Sequence, residues 1–269
     1  MLDQVADLLR EVAATEVLPR FRHLAAEDVQ QKSPGDLVTV ADRESEAALT
    51  RGLTALLPGS IVVGEEGVAA DPALLKRVGE AGPVWIVDPV DGTNNFAAGR
   101  TPFAMMVALA RGDELVASWI LDVPGDHLTL AEAGSGAYRD GVRVKTRTDD
   151  PGPAALRGVV AERYLPPPLR SVAASNSPQL GEVTRGQHCA GYEYPAVALD
   201  EQQFALFWRI LPWDHAPGVL IVREAGGAVR HLDGSEYHLT DSEHGMLVAP
   251  NDDVWHTVRD TLFPDASIL

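Results

Sequence analysis

Leu2, Val5, Leu9, Val12 and Ala13 recur at steps of three and four residues, which predicts that the chain opens with an amphipathic helix. A turn at Ser33, Pro34 and Gly35 and a short extended run, Leu37-Val38-Thr39, follow it. From Asp42 a second helical pattern begins, with Leu49, Leu53, Leu56 and Leu57 on one side and Pro58-Gly59 to end it. Two short apolar runs, residues 61–63 and 84–87, read as buried strands, and each runs directly into acidic residues. Between residues 103 and 145 the texture is that of strands: 105–109, 115–123, 127–131, and a hairpin at 138–144 whose Asp140-Gly141 pair suits a turn with positive φ.

The stretch 148–156, Thr-Asp-Asp-Pro-Gly-Pro-Ala-Ala-Leu, is the clearest linker by composition. Beyond it come an apolar run at 158–161, a helix after Pro166-Pro167-Pro168, a run at 204–210, and a helix over 214–225 stopped by Gly226-Gly227. A run at 246–249 and a closing helix over 252–263 complete the pattern. It predicts an α+β half over residues 1–149 and an α/β half over 150–269.

Composition narrows the function. Of 269 residues 45% are hydrophobic and 23% charged, an ordinary globular balance, and the length allows a substantial core. No apolar run approaches the roughly 20 residues of a membrane span, and the N-terminus lacks the basic start and continuous apolar stretch of a signal peptide. Cys189 is the only cysteine, so an intrachain disulfide is excluded and a cytoplasmic location is expected. The net charge of −17 argues against nucleic-acid and anionic-membrane partners, because there is no basic surplus to displace counterions.

Four acidic clusters fall at the ends of predicted elements: Asp36 with Asp42, Glu65 with Glu66, Asp88 with Asp91, and Asp214. Hard cations such as Mg²⁺ take carboxylate oxygens, waters and phosphate oxygens, so carboxylates delivered from several strand ends to one sheet edge would suit a metal site. Each cluster also has an ordinary reading. Asp42 and Asp214 precede helical runs and could cap them, and the other two could be solvated turns. The surrounding pattern adds weight to the first reading. In Asp88-Pro89-Val90-Asp91-Gly92-Thr93, Pro89 stiffens the chain between two carboxylates, Gly92 permits close approach of the backbone, and residues 93–96 could open a helix whose N–H groups hold phosphate.

These residues resemble the inositol monophosphatase family of lithium-sensitive, Mg²⁺-dependent phosphatases. The first signature of the family corresponds to residues 85–96, and the second to Pro212-Trp213-Asp214-His215-Ala216-Pro217-Gly218 followed by residues 223–227. Gly64-Glu65-Glu66 and the segment from Lys32 to Asp42 stand where the family has them. The resemblance implies a layered αβαβα sandwich and up to three Mg²⁺ ions, with Mn²⁺ as a possible substitute. Glu65, Asp88 and the Val90 carbonyl would hold the first ion, Asp88, Asp91 and Asp214 the second, and Glu65 a third. By the same resemblance Gly92 and Thr93 amides bind phosphate, Glu65 and Thr93 position the attacking water, and Asp42 orients the Thr93 hydroxyl. The resemblance also implies that Lys32 lies near the cluster on a mobile loop and that the protein forms a homodimer.

The substrate end departs from the family pattern. Members specific for inositol carry Gly-Ser-Ala-Ala where this chain has residues 189–194, and a glutamate where it has Phe207, seven residues before Asp214. A phenyl ring cannot accept hydrogen bonds from hydroxyls. Tyr192, Glu193, Phe207 and Arg209 are candidate substrate contacts, with core packing as the alternative for the aromatics and a surface charge as the alternative for Arg209. The expected reaction is therefore Mg²⁺-dependent hydrolysis of a small phosphorylated polyol or sugar. A nucleotide 3′-phosphatase, a fructose-1,6-bisphosphatase and a histidinol-phosphate phosphatase are alternatives within the class, and a regulatory binding protein on the same fold is an alternative outside it.

Overall fold

The computed structural model describes residues 1–33, 35–240 and 245–265, with the side chain of Asp36 left aside. Its strands are β1 Val29–Ser33, β2 Asp36–Thr39, β3 Ile61–Gly64, β4 Pro83–Asp91, β5 Ala104–Arg111, β6 Glu114–Asp122 and β7 His127–Glu132. They continue with β8 Gly136–Arg139, β9 Val142–Val144, β10 Arg157–Val160, β11 Glu182–Thr184, β12 Phe204–Phe207, β13 Ala228–His231 and β14 Met246–Ala249. The helices are α1 Leu2–Val12, α2 Val40–Leu56, α3 Glu65–Ala70, α4 Thr93–Ala97, α5 Pro167–Asn176, α6 Ala190–Ala198, α7 Pro212–Ala225 and α8 Asp252–Leu262.

Strands β3 to β9 form a seven-stranded sheet in sequential order, antiparallel except for the parallel β3–β4 pair. A five-stranded sheet has the order β11-β10-β12-β14-β13, with β10 parallel to both β11 and β12. Residues between β9 and β10, where the linker was expected, carry the chain from one sheet to the other.

The core explains why the central strands are apolar without alternation. Trp85 and Val87 of β4, with Met105, Val107 and Leu109 of β5, pack under α1 and α2. Their neighbours Val84, Ile86, Ala108 and Ala110 point to the opposite face and meet Trp213 and Ala216 of α7. Both faces are covered, so both registers of the strand must be apolar. Helix α7 is buried nearly all round because it lies between the sheets, its Val219 and Val222 shared with Val229 and Val248 of the smaller sheet. The outer face of that sheet carries Phe204, Leu206 and Leu247 against Leu169 of α5 and Trp255 of α8. The order is helices, sheet, helices, sheet, helices: the αβαβα sandwich expected from the sequence.

Several boundaries differ in an informative way. Strand β4 runs on through Asp88 to Asp91, so these acids belong to a strand end rather than a free turn. The opening helix passes into a π-turn over Ala13–Val17. The expected turn before Asp36 is the tip of the β1–β2 hairpin, where Gly35 has φ 79°, while Pro34 lies outside the described residues. No helix of the described residues is long and apolar enough to cross a membrane.

Candidate active site

The end of β4 is shaped by a bulge. Asp88 pairs with Met106 and Asp91 with Ala104, so three steps on one strand oppose two on the other. Asp88 is 1% exposed, and its Oδ1 accepts from the Val90 amide at 3.0 Å. Gly92 then turns the chain with φ 86° and is the N-cap of α4; a Cβ there would lie 3.0 Å from the Pro102 carbonyl oxygen. In the first turn of α4 the Asn95 and Phe96 amides donate to the Gly92 carbonyl oxygen at 2.8 and 3.0 Å, while the Thr93 and Asn94 amides come before any intrahelical acceptor and are suited to an anion.

Helix α2 begins with a capping box. Asp42 Oδ2 accepts from the Thr39 amide (2.8 Å) and hydroxyl (2.6 Å), while Oδ1 lies 3.0 Å from the Thr93 hydroxyl. The cap reading and the site reading of Asp42 thus hold together: one oxygen fixes the helix and the other fixes Thr93. Thr93 Oγ1 is also 2.9 Å from the Val90 carbonyl oxygen. Its single proton goes to one of these acceptors, which leaves a lone pair for a third group.

Glu65 opens α3. Its Oε1 is 2.8 Å from Lys32 Nζ, which also contacts Glu66 Oε1 at 2.5 Å. The structure thus puts Lys32 within strand β1, against the acidic cluster, and not in a loop. Glu46 of α2 reaches the same turn, accepting from the amides of Glu66 (2.8 Å) and Gly67 (2.6 Å). Asp214 lies in the first turn of α7. Asp91 Oδ2 accepts from the Gly191 amide at the start of α6, 2.5 Å away.

Glu65, Asp88, Val90, Asp91, Gly92, Thr93 and Asp214 line one cavity of about 150 Å³ between the two sheets. Its opposite wall comes from residues just after β10 and β12: Arg163 and Tyr164, then Trp208 and Arg209, with Phe207 closing β12. Phe207 stacks on Tyr194 at 5.3 Å between ring centres. His215 stays neutral, pushed down to about 4 by burial, with one ring nitrogen 2.9 Å from the Tyr194 hydroxyl and the other 2.9 Å from the Arg209 carbonyl oxygen.

Two expected substrate contacts sit elsewhere. Tyr192 and Glu193 do not line the cavity. Glu193 is buried and holds the Gln187 amide (2.7 Å) and the Gln202 side chain (2.8 Å), while Tyr192 is 39% exposed on α6. Helical geometry accounts for this, since a helix starting at Ala190 presents successive residues about 100° apart, and of its residues Ala190 lines the cavity. Arg163, Tyr164 and Glu46 were not anticipated from sequence. A signal for the first two existed: they follow a strand parallel to β12, and such strand ends share one sheet edge.

Electrostatically the acidic end is strained. Burial, then repulsion from Glu65, Asp91, Asp214 and Asp42, holds the Asp88 carboxyl well above the usual range. Burial lifts Asp91 to about 6 against its bond from Gly191, and Asp42 to about 6 against its bonds from Thr39. Burial also lifts Glu66 to about 7, opposed by Lys32. For Lys32 burial alone would lower the ammonium, but Glu65 and Glu66 outweigh it and hold it above its usual value. Among the described residues no three His, Cys, Asp or Glu side chains already converge on one point, because Glu65 is drawn to Lys32 and Asp91 to Gly191. The donor set still suits a hard divalent cation: all four side chains are carboxylates, and a cation would relieve their mutual repulsion.

These shifts fix the sign of a pH effect. Acids with raised folded values bind more protons folded than unfolded, so their contribution to stability is full below about 4 and is lost as pH rises to about 7. Chelator-treated protein is expected to melt at a lower temperature at pH 7.5 than at pH 5.5, and added Mg²⁺ to restore most of the difference at pH 7.5. Melting temperatures in EDTA that stay level or rise across this range would contradict the buried repulsion.

A model of the inositol monophosphatase family matches residues 1–263. The chain is 33% identical to a chloroplastic phosphatase of Arabidopsis thaliana over 80% of its own length, and spans 58% of that protein. It is 28% identical to the inositol-1-monophosphatase of Bacillus subtilis over 96% of this chain and 94% of that one. The Thermotoga maritima IMPase superposes with a TM-score of 0.81 over 98% of both chains at 24% identity, which speaks for the fold. The chain belongs to the inositol monophosphatase family, whose members hydrolyse phosphate monoesters.

Proposed function

We propose that this protein is a Mg²⁺-dependent phosphomonoesterase acting on a small soluble metabolite. The observation that carries the reading is the gathering of Glu65, Asp88, Asp91 and Asp214 on one cavity, beside the first turn of α4. Glu65, Asp88, Asp91, Asp214 and the Val90 carbonyl are the residues that would hold two to three Mg²⁺ ions, or Mn²⁺ in their place. When bound, such ions neutralise phosphate charge and lower the pKa of water.

The chain's own residues do the rest. The amides of Gly92 and Thr93 hold phosphate oxygens at the start of α4. Thr93 donates its proton toward Asp42 or the Val90 carbonyl and keeps a lone pair to orient water, a role shared with Glu65. Water oxygen bonds to phosphorus as the ester P–O bond breaks, the leaving oxygen takes a proton, and inorganic phosphate and an alcohol are released. No protein nucleophile is required, consistent with Cys189 being buried with its thiol pushed well up by burial. Lithium inhibition, a homodimer and a cytoplasmic location belong to the same reading, and the charge of −17 disfavours nucleic acid as a partner.

The test is phosphate release from myo-inositol 1-phosphate, glycerol 1-phosphate, fructose 1,6-bisphosphate, adenosine 3′,5′-bisphosphate and histidinol phosphate, with Mg²⁺ and with EDTA. Release from at least one ester that disappears in EDTA and returns with Mg²⁺ supports the reading. Release unaffected by chelation refutes the metal assignment. No release from any ester, from folded protein with Mg²⁺ present, favours a binding role on the same fold.

A further inference from the structure

The cavity has a second charged end. Acidic residues outnumber basic ones 39 to 22 in this chain, and many of its arginines are paired with carboxylates: Arg223 and Arg230 with Glu236, Arg147 with Asp149, Arg185 with Glu162. Arg163 and Arg209 line the cavity, yet no carboxylate lies within 4 Å of either among the described residues. The Arg209 guanidinium lies 4.0 Å from the Tyr164 ring centre and that of Arg163 4.9 Å. A ring face attracts the cation through its quadrupole but is no hydrogen-bond acceptor of the carboxylate or phosphate kind. Among the described residues Arg209 Nε is buried without a hydrogen-bond partner. Arg163 donates to the Gly35 carbonyl oxygen at 2.6 Å, an atom that also accepts from Asn94.

The position of Arg209 is fixed from behind. His215 holds the Arg209 carbonyl oxygen at 2.9 Å, and Tyr194 packs under both His215 and Phe207. Phe207 shares this lining, and its ring offers no acceptor to a hydroxyl group. A neutral polyol would meet an unsatisfied guanidinium and a phenyl ring there. A second anion would meet two guanidinium groups, one with an N–H already desolvated.

Resting on the hydrolytic reading above, we propose that Arg163 and Arg209 bind a second anionic group of the substrate, at the end of the leaving group remote from the scissile phosphate. The preferred class is then a phosphate monoester bearing a second phosphate or a carboxylate, and not the monophosphate of a neutral polyol. Tyr164 holds both guanidinium planes at the rim, and Phe207 and Trp208 cover the body of the leaving group.

The experiment compares kcat/KM, at fixed Mg²⁺, for fructose 1,6-bisphosphate, adenosine 3′,5′-bisphosphate and 3-phosphoglycerate against glycerol 1-phosphate and myo-inositol 1-phosphate. At least one anion-bearing ester is expected to exceed both neutral esters by about tenfold or more, and the member that does so identifies its source as sugar, nucleotide or carboxylate. In Arg209→Gln that preference falls by about tenfold, mostly through KM, and Arg209→Lys recovers part of it. Melting temperatures of the variants confirm that they fold. Equal losses on charged and neutral esters in Arg209→Gln, or a wild-type preference for the neutral ones, overturns the proposal. Absence of release from every ester, p-nitrophenyl phosphate included, removes the hydrolytic reading itself and this inference with it.

Discussion

Asp88→Asn is expected to lower kcat/KM for any accepted ester by at least about a thousandfold, or about 4 kcal/mol of transition-state stabilisation. It is also expected to raise the melting temperature of the chelated protein at pH 7.5 by about 5 °C, a scale corresponding to about 1–3 kcal/mol of removed repulsion. The two effects have one cause. Asp88 is 1% exposed and is held well above its usual value by burial and by four neighbouring carboxylates. Asparagine keeps an Oδ1 to accept from the Val90 amide, so the bulge at the end of β4 survives. What it removes is a charge that is costly in the metal-free fold and needed when a divalent cation is present. The wild type should therefore gain more from Mg²⁺ in a thermal melt than the variant does. A variant less stable than wild type both in EDTA and in Mg²⁺ would make Asp88 a packing residue and would count against the assigned metal site.

Legibility in the sequence followed the strength of local periodicity. Strands β4 to β6 and helices α2, α7 and α8 were readable because both faces, or one clear stripe, were apolar in elements of eight residues or more, and the six residues of β7 still carried an apolar run. Strands β11 and β13 were not, since three or four residues are too few to show a period, and neither alternates between buried and exposed positions over its length. Helix α6 was obscured because it is buried on nearly all sides and holds Pro195 in its interior. The acidic end of the cavity was legible through residues 85–96 and the segment around Asp214, which place their carboxylates by local rules: a strand end, a bulge, a helix start. The rim was not, because Arg163 and Arg209 are 46 positions apart and meet only when β10 and β12 pair side by side. Tyr192 and Glu193 were candidate substrate contacts because residues 189–194 stand where inositol-specific members carry Gly-Ser-Ala-Ala, but a helix carries them past the cavity. Side-chain direction in that segment depends on where the helix starts, and nothing in residues 186–190 marks that start for a sequence reader.

A second large effect is expected at a residue with no chemistry of its own. Gly64 has φ −107°, a conformation open to any residue, so its lack of a side chain must be explained by space. A Cβ at that position would run into the carboxylate of Glu46. That carboxylate is 8% exposed with its residue, and it is the acceptor for the Glu66 and Gly67 amides that begin α3. Burial pushes its pKa up, against the pull of those two amides. In Gly64→Ala the Glu46 side chain can swing aside, but two buried N–H groups then lose a charge-assisted acceptor, each worth about 1.5–3 kcal/mol. The melting temperature is expected to fall by about 5–10 °C. The first turn of α3 loosens with it, and Glu65 is the first residue of that turn. The Mg²⁺ concentration for half-maximal activity should therefore rise about tenfold, more than KM for the ester does, because a misplaced carboxylate weakens its cation directly. Glu46→Gln gives the companion result. Its amide oxygen can serve one backbone N–H while its NH₂ faces the other, so stability and Mg²⁺ dependence should shift the same way by smaller amounts. Titration of Mg²⁺ by calorimetry, which needs no substrate, separates the outcomes. Unchanged Mg²⁺ affinity in a destabilised Gly64→Ala protein would confine Glu46 to holding the fold, whereas a parallel loss of both shows that it holds Glu65 in place for the cation.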